Sequence, residues 1–319
     1  MSISEESARD VQNDILRAAA LGPEPALLSC VAAKSNIRIG ISGWTYPPWR
    51  GTFYPEKLPQ NRELAYASRQ VNSIEINGSF YSLQRPSSFI KWYQAVPDDF
   101  VFSVKANRYI THVLRLRNCR APLANFFASG VLALNEKLGS VLWQFPPSMK
   151  LDLERMEEFL AMLPTDAVHA KRLAENCDPW MRERAYFEVN NNWRIRHAFE
   201  VRHASFRNSA FLRLLRKFKA ALVFSDSGGK WPYIEEVTAD FIYIRLHGAE
   251  ELYASGYNTR ALKTWARRIR SWQARNTFVY FDNDAKVFAP FNAVELHSLL
   301  TDFVAEDETL FDRKIRLAA

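Results

Sequence analysis

Cysteine is scarce and poorly placed for its structural uses. The 319-residue chain has three, Cys30, Cys119 and Cys177. They are odd in number, far apart and without metal-ligand spacing, which argues against a disulfide framework and suggests reduced thiols in a cytoplasmic setting. Cys119 lies between Arg117 and Arg120, cations that lower a thiol pKa, but the residue is read as inert. No apolar run approaches the ~20 residues of a membrane span, so no membrane partner is expected. Glu5, Glu6 and Asp10 stand where a signal peptide would be basic, and Pro23 and Pro25 interrupt the apolar region there.

Several catalytic signatures are also missing. There is no dinucleotide fingerprint, and Gly228-Gly229-Lys230 lacks the upstream glycine and the following Ser or Thr of a phosphate-binding loop. No Gly-x-Ser-x-Gly elbow exists. No His/Glu pair has helical metal-ligand spacing. The motifs therefore imply no cofactor and no metal. Charge is only mildly one-sided: 42 Lys and Arg against 35 Asp and Glu give +7, a hint of anionic partners.

What the chain does have is alternation. In Arg196-His-Ala-Phe-Glu-Val-Arg-His-Ala-Ser-Phe206, Phe199 and Val201 fall on one face of an extended chain. Ala198, Glu200 and Arg202 fall on the other. The same pattern, an apolar face opposite one that turns polar at the carboxyl end, recurs in three more stretches. They carry Glu75 and Asn77, Ser103 and Lys105, and Arg245 and His247. Charged residues are almost never fully buried unless paired. In a parallel barrel that end is where chemistry sits.

Strands are predicted at 37–42, 73–77, 100–106, 140–145, 196–206, 221–226, 241–247 and 278–284. Helices are predicted at 63–71, 86–95, 122–137, 153–163, 211–219, 258–275 and 290–303. Alternating β and α elements imply a parallel sheet, and the count of eight favours an α/β fold of the (β/α)8 TIM-like barrel type in a single domain. Residues 1–36 read as an amino-terminal extension with a possible helix over 8–21, residues 37–311 as the barrel, and 312–319 as a tail. The stretch 166–194 is too long for a simple connection and is expected to carry extra helix.

Eight motifs, in order, carry a resemblance. They are Gly43-Trp-x-Tyr-x-x-Trp49, Phe53-Tyr-Pro55, Ile74-Glu-Ile-Asn-x-Ser-Phe-Tyr81 and Lys105-Ala-x-Arg-Tyr-Ile-Thr-His112. The others are Leu138-Gly-x-Val-Leu-x-Gln-Phe-Pro-Pro147, Phe199-Glu-Val-Arg-His-x-Ser-Phe206, Tyr243-Ile-Arg-Leu-His-Gly248 and Tyr280-Phe-x-Asn-Asp284. Together they resemble the YecE-like family, domain of unknown function 72, which implies a TIM-like barrel and a site at its mouth. The chain departs from the family's Asn-Asn-Asp near the last strand, having Asp282-Asn283-Asp284.

Candidate catalytic residues are Glu75, Lys105, Glu200 and Asp226, because carboxylates beside cations in a cleft can be tuned as acid and base. Either glutamate would exchange the proton, Lys105 would stabilise charge, and Arg202, His203, Arg245 and His247 would orient substrate. The competing reading is a salt-bridged lattice filling a polar barrel centre, which is a poor source of stability. Lys105, Arg108, His112 and Arg115 could hold phosphate or carboxylate. Trp44, Tyr46, Trp49, Phe80 and Tyr81 could stack on a sugar or base, or form an apolar lid. Asn77, Gln144 and Asn283, within the motifs, complete the substrate-binding set. A metal held by Glu200, Asp226, His247 and Asp282 is disfavoured by Arg202 and Arg245.

The expectation is an enzyme, a lyase, isomerase or hydrolase, acting on a small anionic, phosphorylated or sugar-like molecule. A second class is nucleic-acid binding or processing, through Arg260, Lys263, Arg267 and Arg270 with Arg213, Arg216 and Lys217. A solvated helix face is the plainer account of those charges. A third class is a non-catalytic small-ligand binder.

Overall fold

The computed structural model describes residues 37–272 and 275–301. The extension 1–36, with its helix over 8–21, and the tail 312–319 lie outside the described residues. Eight strands close into a barrel in chain order. They are β1 (Ile37–Ser42), β2 (Ser73–Ile76), β3 (Val101–Lys105), β4 (Leu138–Gln144), β5 (His197–Glu200), β6 (Ala221–Asp226), β7 (Phe241–Leu246) and β8 (Asn276–Phe281). Every neighbouring pair is parallel, and β8 closes on β1 with Tyr280 beside Gly40.

Period-two alternation divides the core. Ile39, Ile41, Phe102, Val104, Phe199, Phe224, Ile244 and Phe281 face outward and pack into the main apolar cluster under the helices. Leu142, Ala198, Val223, Phe241, Tyr243, Phe278 and Tyr280 form a separate inner cluster. Above it lies a hydroxyl layer: the Tyr280 hydroxyl is 2.6 Å from Ser73 Oγ and 2.8 Å from Ser103 Oγ. Gly40 is required here, since a Cβ would stand 1.8 Å from the Ser73 carbonyl oxygen. The interior is filled from its floor to the level of Glu75.

Helices follow the strands where the pattern places them. Pro86–Ala95 begins with proline in its first turn, where no amide hydrogen is needed. Leu153–Met162, Ser209–Lys217 and Thr259–Ser271 are capped by Asp152, Asn208 and Asn258, which accept from first-turn amides. The stretch 166–194 carries two helices, Ala167–Ala174 and Pro179–Arg182. Helix resumes at 288 and runs to 301, the last described residue. No helix among the described residues is long and apolar enough to cross a membrane.

Two expectations need correction. The single helix predicted over 122–137 is an α-helix, Arg120–Ala128, followed by tighter turns over Val131–Lys137. Gly130 separates them at φ 115°, and a Cβ there would meet Pro86 Cα at 2.5 Å. The stretch 196–206 stays in the sheet only through Glu200. His203 then accepts from the Ser205 amide at 3.1 Å and starts a short turn. Cys119 is buried, and burial pushes its thiol up to about 12, in keeping with an inert role.

Candidate active site

Arg245 is the centre of the mouth. It comes from the inner face of β7 and is fully buried. Its Nη1 donates to Glu200 Oε2 at 2.7 Å. Its Nη2 donates to Glu75 Oε1 at 2.8 Å and to Asp282 Oδ2 at 2.9 Å. The carboxylates are otherwise occupied as well. Glu75 accepts from Ser42 Oγ at 2.9 Å and from the Tyr243 hydroxyl at 2.6 Å. Glu200 accepts from Gln144 Nε2 at 3.1 Å and from Arg202 Nε and Nη2 at 3.0 and 2.9 Å. His247 lies between Asp282, 2.9 Å from Nδ1, and Glu200, 3.3 Å from Nε2.

Burial alone would push the Glu200 carboxyl up, but the Arg202 and Arg245 guanidiniums outweigh it and hold it well below the usual carboxylate range. Burial is likewise overruled at Asp282, which Arg245 and His247 bring down to about 2. These groups are fixed negative charges at neutral pH.

A second tier sits over this bed. Lys105 ends β3 on the inner face, with Nζ 4.3 Å from the centroid of the Phe80 ring. Among the described residues no oxygen accepts from it. Burial, with Arg245 adding to it, brings the ammonium down to about 8. His112 follows on a wide helical turn, Tyr109–Val113, its Nδ1 2.9 Å from Thr111 Oγ1. Burial first, then the charges of Lys105, Arg202 and Arg108, hold that imidazole down to about 4, so it is neutral near pH 7. Arg202 is clamped with its Cζ 3.5 Å from the centroid of the Trp231 ring and Nη2 donating to the Tyr253 hydroxyl at 3.3 Å. Arg108 is exposed beside them.

The rim is aromatic in part. Trp44, Tyr46, Asn77 and Trp92 line a cavity of about 290 Å³. Tyr46 donates to the Ser42 carbonyl at 2.6 Å. Trp49 is wholly buried, so it belongs to the core under the rim rather than to a binding face. Tyr81 is 74 % exposed and, with Tyr109 and Trp180, lines a larger cavity of about 770 Å³ past the ends of β2 and β3. Asp284, half-buried near Tyr46, is pushed up to about 6 by burial and by the neighbouring Asp282 charge.

Glu75, Lys105, Glu200, Arg202, Gln144, Arg245 and His247 are thus brought together. Other expected residues are not. Asp226 faces outward from β6 and accepts from the Tyr257 hydroxyl at 3.1 Å, because Ala221, Val223 and Ser225 hold the inward positions. Asn283 donates to the Ser255 carbonyl and to Asn292 Oδ1, tying loops together behind the rim. His203 caps its own turn, and Arg115 reaches Ser148 Oγ at 3.3 Å. Among the described residues no three His, Cys, Asp or Glu side chains cluster as a metal-binding group. Of the basic outer face, Arg216 pairs with Glu236, Lys217 with Glu157, and Arg270 donates to the Leu299 carbonyl.

Sequence reasoning missed Asp284, Trp231 and Tyr253 and weighed Asp282 only as a metal ligand. The parity of β8 could have found Asp282, since Phe278 and Tyr280 share its inward face. Trp231 and Tyr253 stand in loops, where no periodicity announces an inward turn.

Relatives agree with this architecture. The UPF0759 protein YecE of Escherichia coli strain K12 is 24 % identical over 248 residues, covering 76 % of this chain and 84 % of YecE. The UPF0759 protein YunF of Bacillus subtilis strain 168 is 23 % identical over 287 residues, covering 83 % and 94 %. The crystal structure of a DUF72 family protein from Thermotoga maritima MSB8 superposes with a TM-score of 0.66 at 25 % identity, over 83 % of this chain and 99 % of that one. One from Enterococcus faecalis V583 gives 0.62 at 18 % identity, over 83 % and 95 %, and speaks for the fold alone. Residues 38–311 match the family described as "Protein of unknown function DUF72", and the chain belongs to that family.

Proposed function

We propose that the chain is an enzyme that takes a small anionic molecule, phosphorylated or sugar-like, into the barrel mouth and works on it by acid–base chemistry. The observation that carries this reading is Lys105. Glu75, Glu200 and Asp282 spend their hydrogen bonds on Arg245 and its neighbours, and among the described residues none of them bonds to the amine, although their charges reach it. A lysine kept only to complete a hydrogen-bonded charge lattice would be bonded into it. Lys105, Arg202 and Arg108 all act on a neutral His112, a set of cations that suits an anion.

The roles expected from sequence shift accordingly. Glu75 and Glu200 are deeply bonded and serve to hold Arg245 and Arg202 in place. Lys105, brought down to about 8, and Asp284, pushed up to about 6, titrate near neutrality, where a general acid or base works best. A lyase, isomerase or hydrolase needs no more than such a pair and an anion anchor.

Calorimetry with inorganic phosphate and with sugar phosphates tests the reading. Binding should survive a chelator and weaken in Lys105→Ala and in Arg202→Gln. Binding that disappears with chelator would support a carboxylate–histidine metal site in its place. No heat with any small anion would overturn the proposal.

A further inference from the structure

The geometry points to Lys105 as a covalent amine that forms an imine with the carbonyl carbon of a small oxo-acid whose carboxylate rests on Arg202. This rests on the anion-binding reading of the mouth and goes beyond it by naming the reacting atom and the substrate class.

The first support is the isolation of Nζ. It stands over the Phe80 ring at the end of a strand, in a residue 9 % exposed. A nucleophilic lysine needs an open lone pair, and a carboxylate bonded to Nζ would keep it protonated. Here the carboxylates that could do so are held on Arg245 and Arg202. The second support is the neighbouring cation. Burial and the Arg245 charge outweigh the Asp282, Glu75 and Glu200 charges that pull the other way and bring the ammonium down to about 8, so roughly a quarter of the amine is free at pH 7.5.

The third support is an oriented anchor. Arg202 spends Nε and Nη2 on Glu200 and Tyr253, and among the described residues its Nη1 has no protein acceptor. Stacking on Trp231 fixes the guanidinium plane. His112 meets the same Phe80 ring edge-on, with ring centroids 5.0 Å apart, so the imidazole and the Lys105 amine flank one aromatic side chain, and the charges of Lys105 and Arg202 both reach the imidazole. That imidazole is neutral and able to relay a proton.

The step balances without a redox partner. The Nζ lone pair bonds to the carbonyl carbon while the C–O π pair moves onto oxygen. A proton passes from nitrogen to that oxygen by way of His112, giving a carbinolamine. Expulsion of the oxygen as water then leaves the imine, both N–H protons of the amine departing with it. Protonated, the imine draws electrons from the adjacent carbon, so a C–H or C–C bond there can break as a lyase or isomerase requires.

The test is borohydride trapping on the full chain, with pyruvate and glyoxylate as probes and propanal as a carbonyl lacking the carboxylate. Peptide mapping should place the reduced adduct on Lys105 at about tenfold or more over any other lysine, and Lys105→Arg should abolish it. Arg202→Gln should depress trapping of pyruvate while leaving that of propanal. Label spread evenly over surface lysines, or Lys105 unmodified, would overturn the proposal. If calorimetry still shows anion binding in that case, the covalent step falls alone. If small anions do not bind at all, the wider reading falls with it.

Discussion

Arg245 Nη1 donates to Glu200 Oε2 at 2.7 Å with both side chains fully buried, and the same guanidinium also holds Glu75 and Asp282. One cation therefore shares three anions, and Arg202 supplies a second positive charge to Glu200 alone. Breaking a buried pair by removing one partner strands the other charge, at about 3–5 kcal/mol. Glu200→Gln and Arg245→Met should each lower the melting temperature by many degrees. From sequence alone, Glu200 reads as a residue that exchanges a proton. With two guanidiniums aimed at it, the neutral amide leaves both underbonded. A melting temperature within a degree or two of wild type would show the network to be less coupled than its geometry implies.

Lys105 should behave in the opposite way. Its folded pKa is depressed to about 8 from an ordinary value near 10.4, so the folded state binds that proton less well than the unfolded chain. Stability from this group is fully present above the unfolded value and is lost as pH falls toward 8. At pH 7 the buried ammonium is a net cost. Lys105→Met should then stabilise the protein by roughly 1–3 kcal/mol at pH 7, the gain fading toward pH 10. Melts across that range decide it; a destabilised variant at pH 7 would mean that the ammonium has a partner.

Asp284 carries a raised pKa of about 6, set by burial and by Asp282. Between about pH 4 and 6 the folded state holds the proton more tightly than the unfolded chain, so stability declines as pH rises through this window. Asp284→Asn cannot ionise. Its melting temperature relative to wild type should climb between pH 4 and pH 7, and a flat difference across that range would refute the assignment.

Trp231 should matter through Arg202. Their contact, Cζ to ring centroid at 3.5 Å, is worth about 0.5–2 kcal/mol when partly desolvated. Trp231→Ala should therefore weaken phosphate binding by about 2- to 30-fold, with the far-UV spectrum unchanged. Phosphate affinity equal to wild type would place the anion elsewhere on the rim.

The sequence made the barrel legible because its strands obey parity, with an apolar outward face and an inward face that turns polar toward the carboxyl end. Parity also announced Glu75, Lys105, Glu200 and Arg245. It was disregarded at Asp226, whose position one step past inward-facing Ser225 turns it outward to Tyr257. The break at Gly130 was invisible because the apolar spacing of residues 122–137 continues through it, and only the approach of Pro86 demands it. Trp231 and Tyr253 act on Arg202 through contacts distant in sequence, which no local pattern encodes.

The hydroxyl and tyrosine layer beneath Glu75 has a consequence for traffic. Tyr243, Tyr280, Ser73 and Ser103 are fully buried, so the barrel is a cup and offers no through-passage. Among the described residues, whatever reaches Lys105 arrives and departs at the carboxyl end of the barrel, so a molecule on its way out occupies the route of the next arrival. If the proposed reaction takes place there, occupancy of that doorway by product would limit throughput, and two molecules needed together would be admitted in a fixed order.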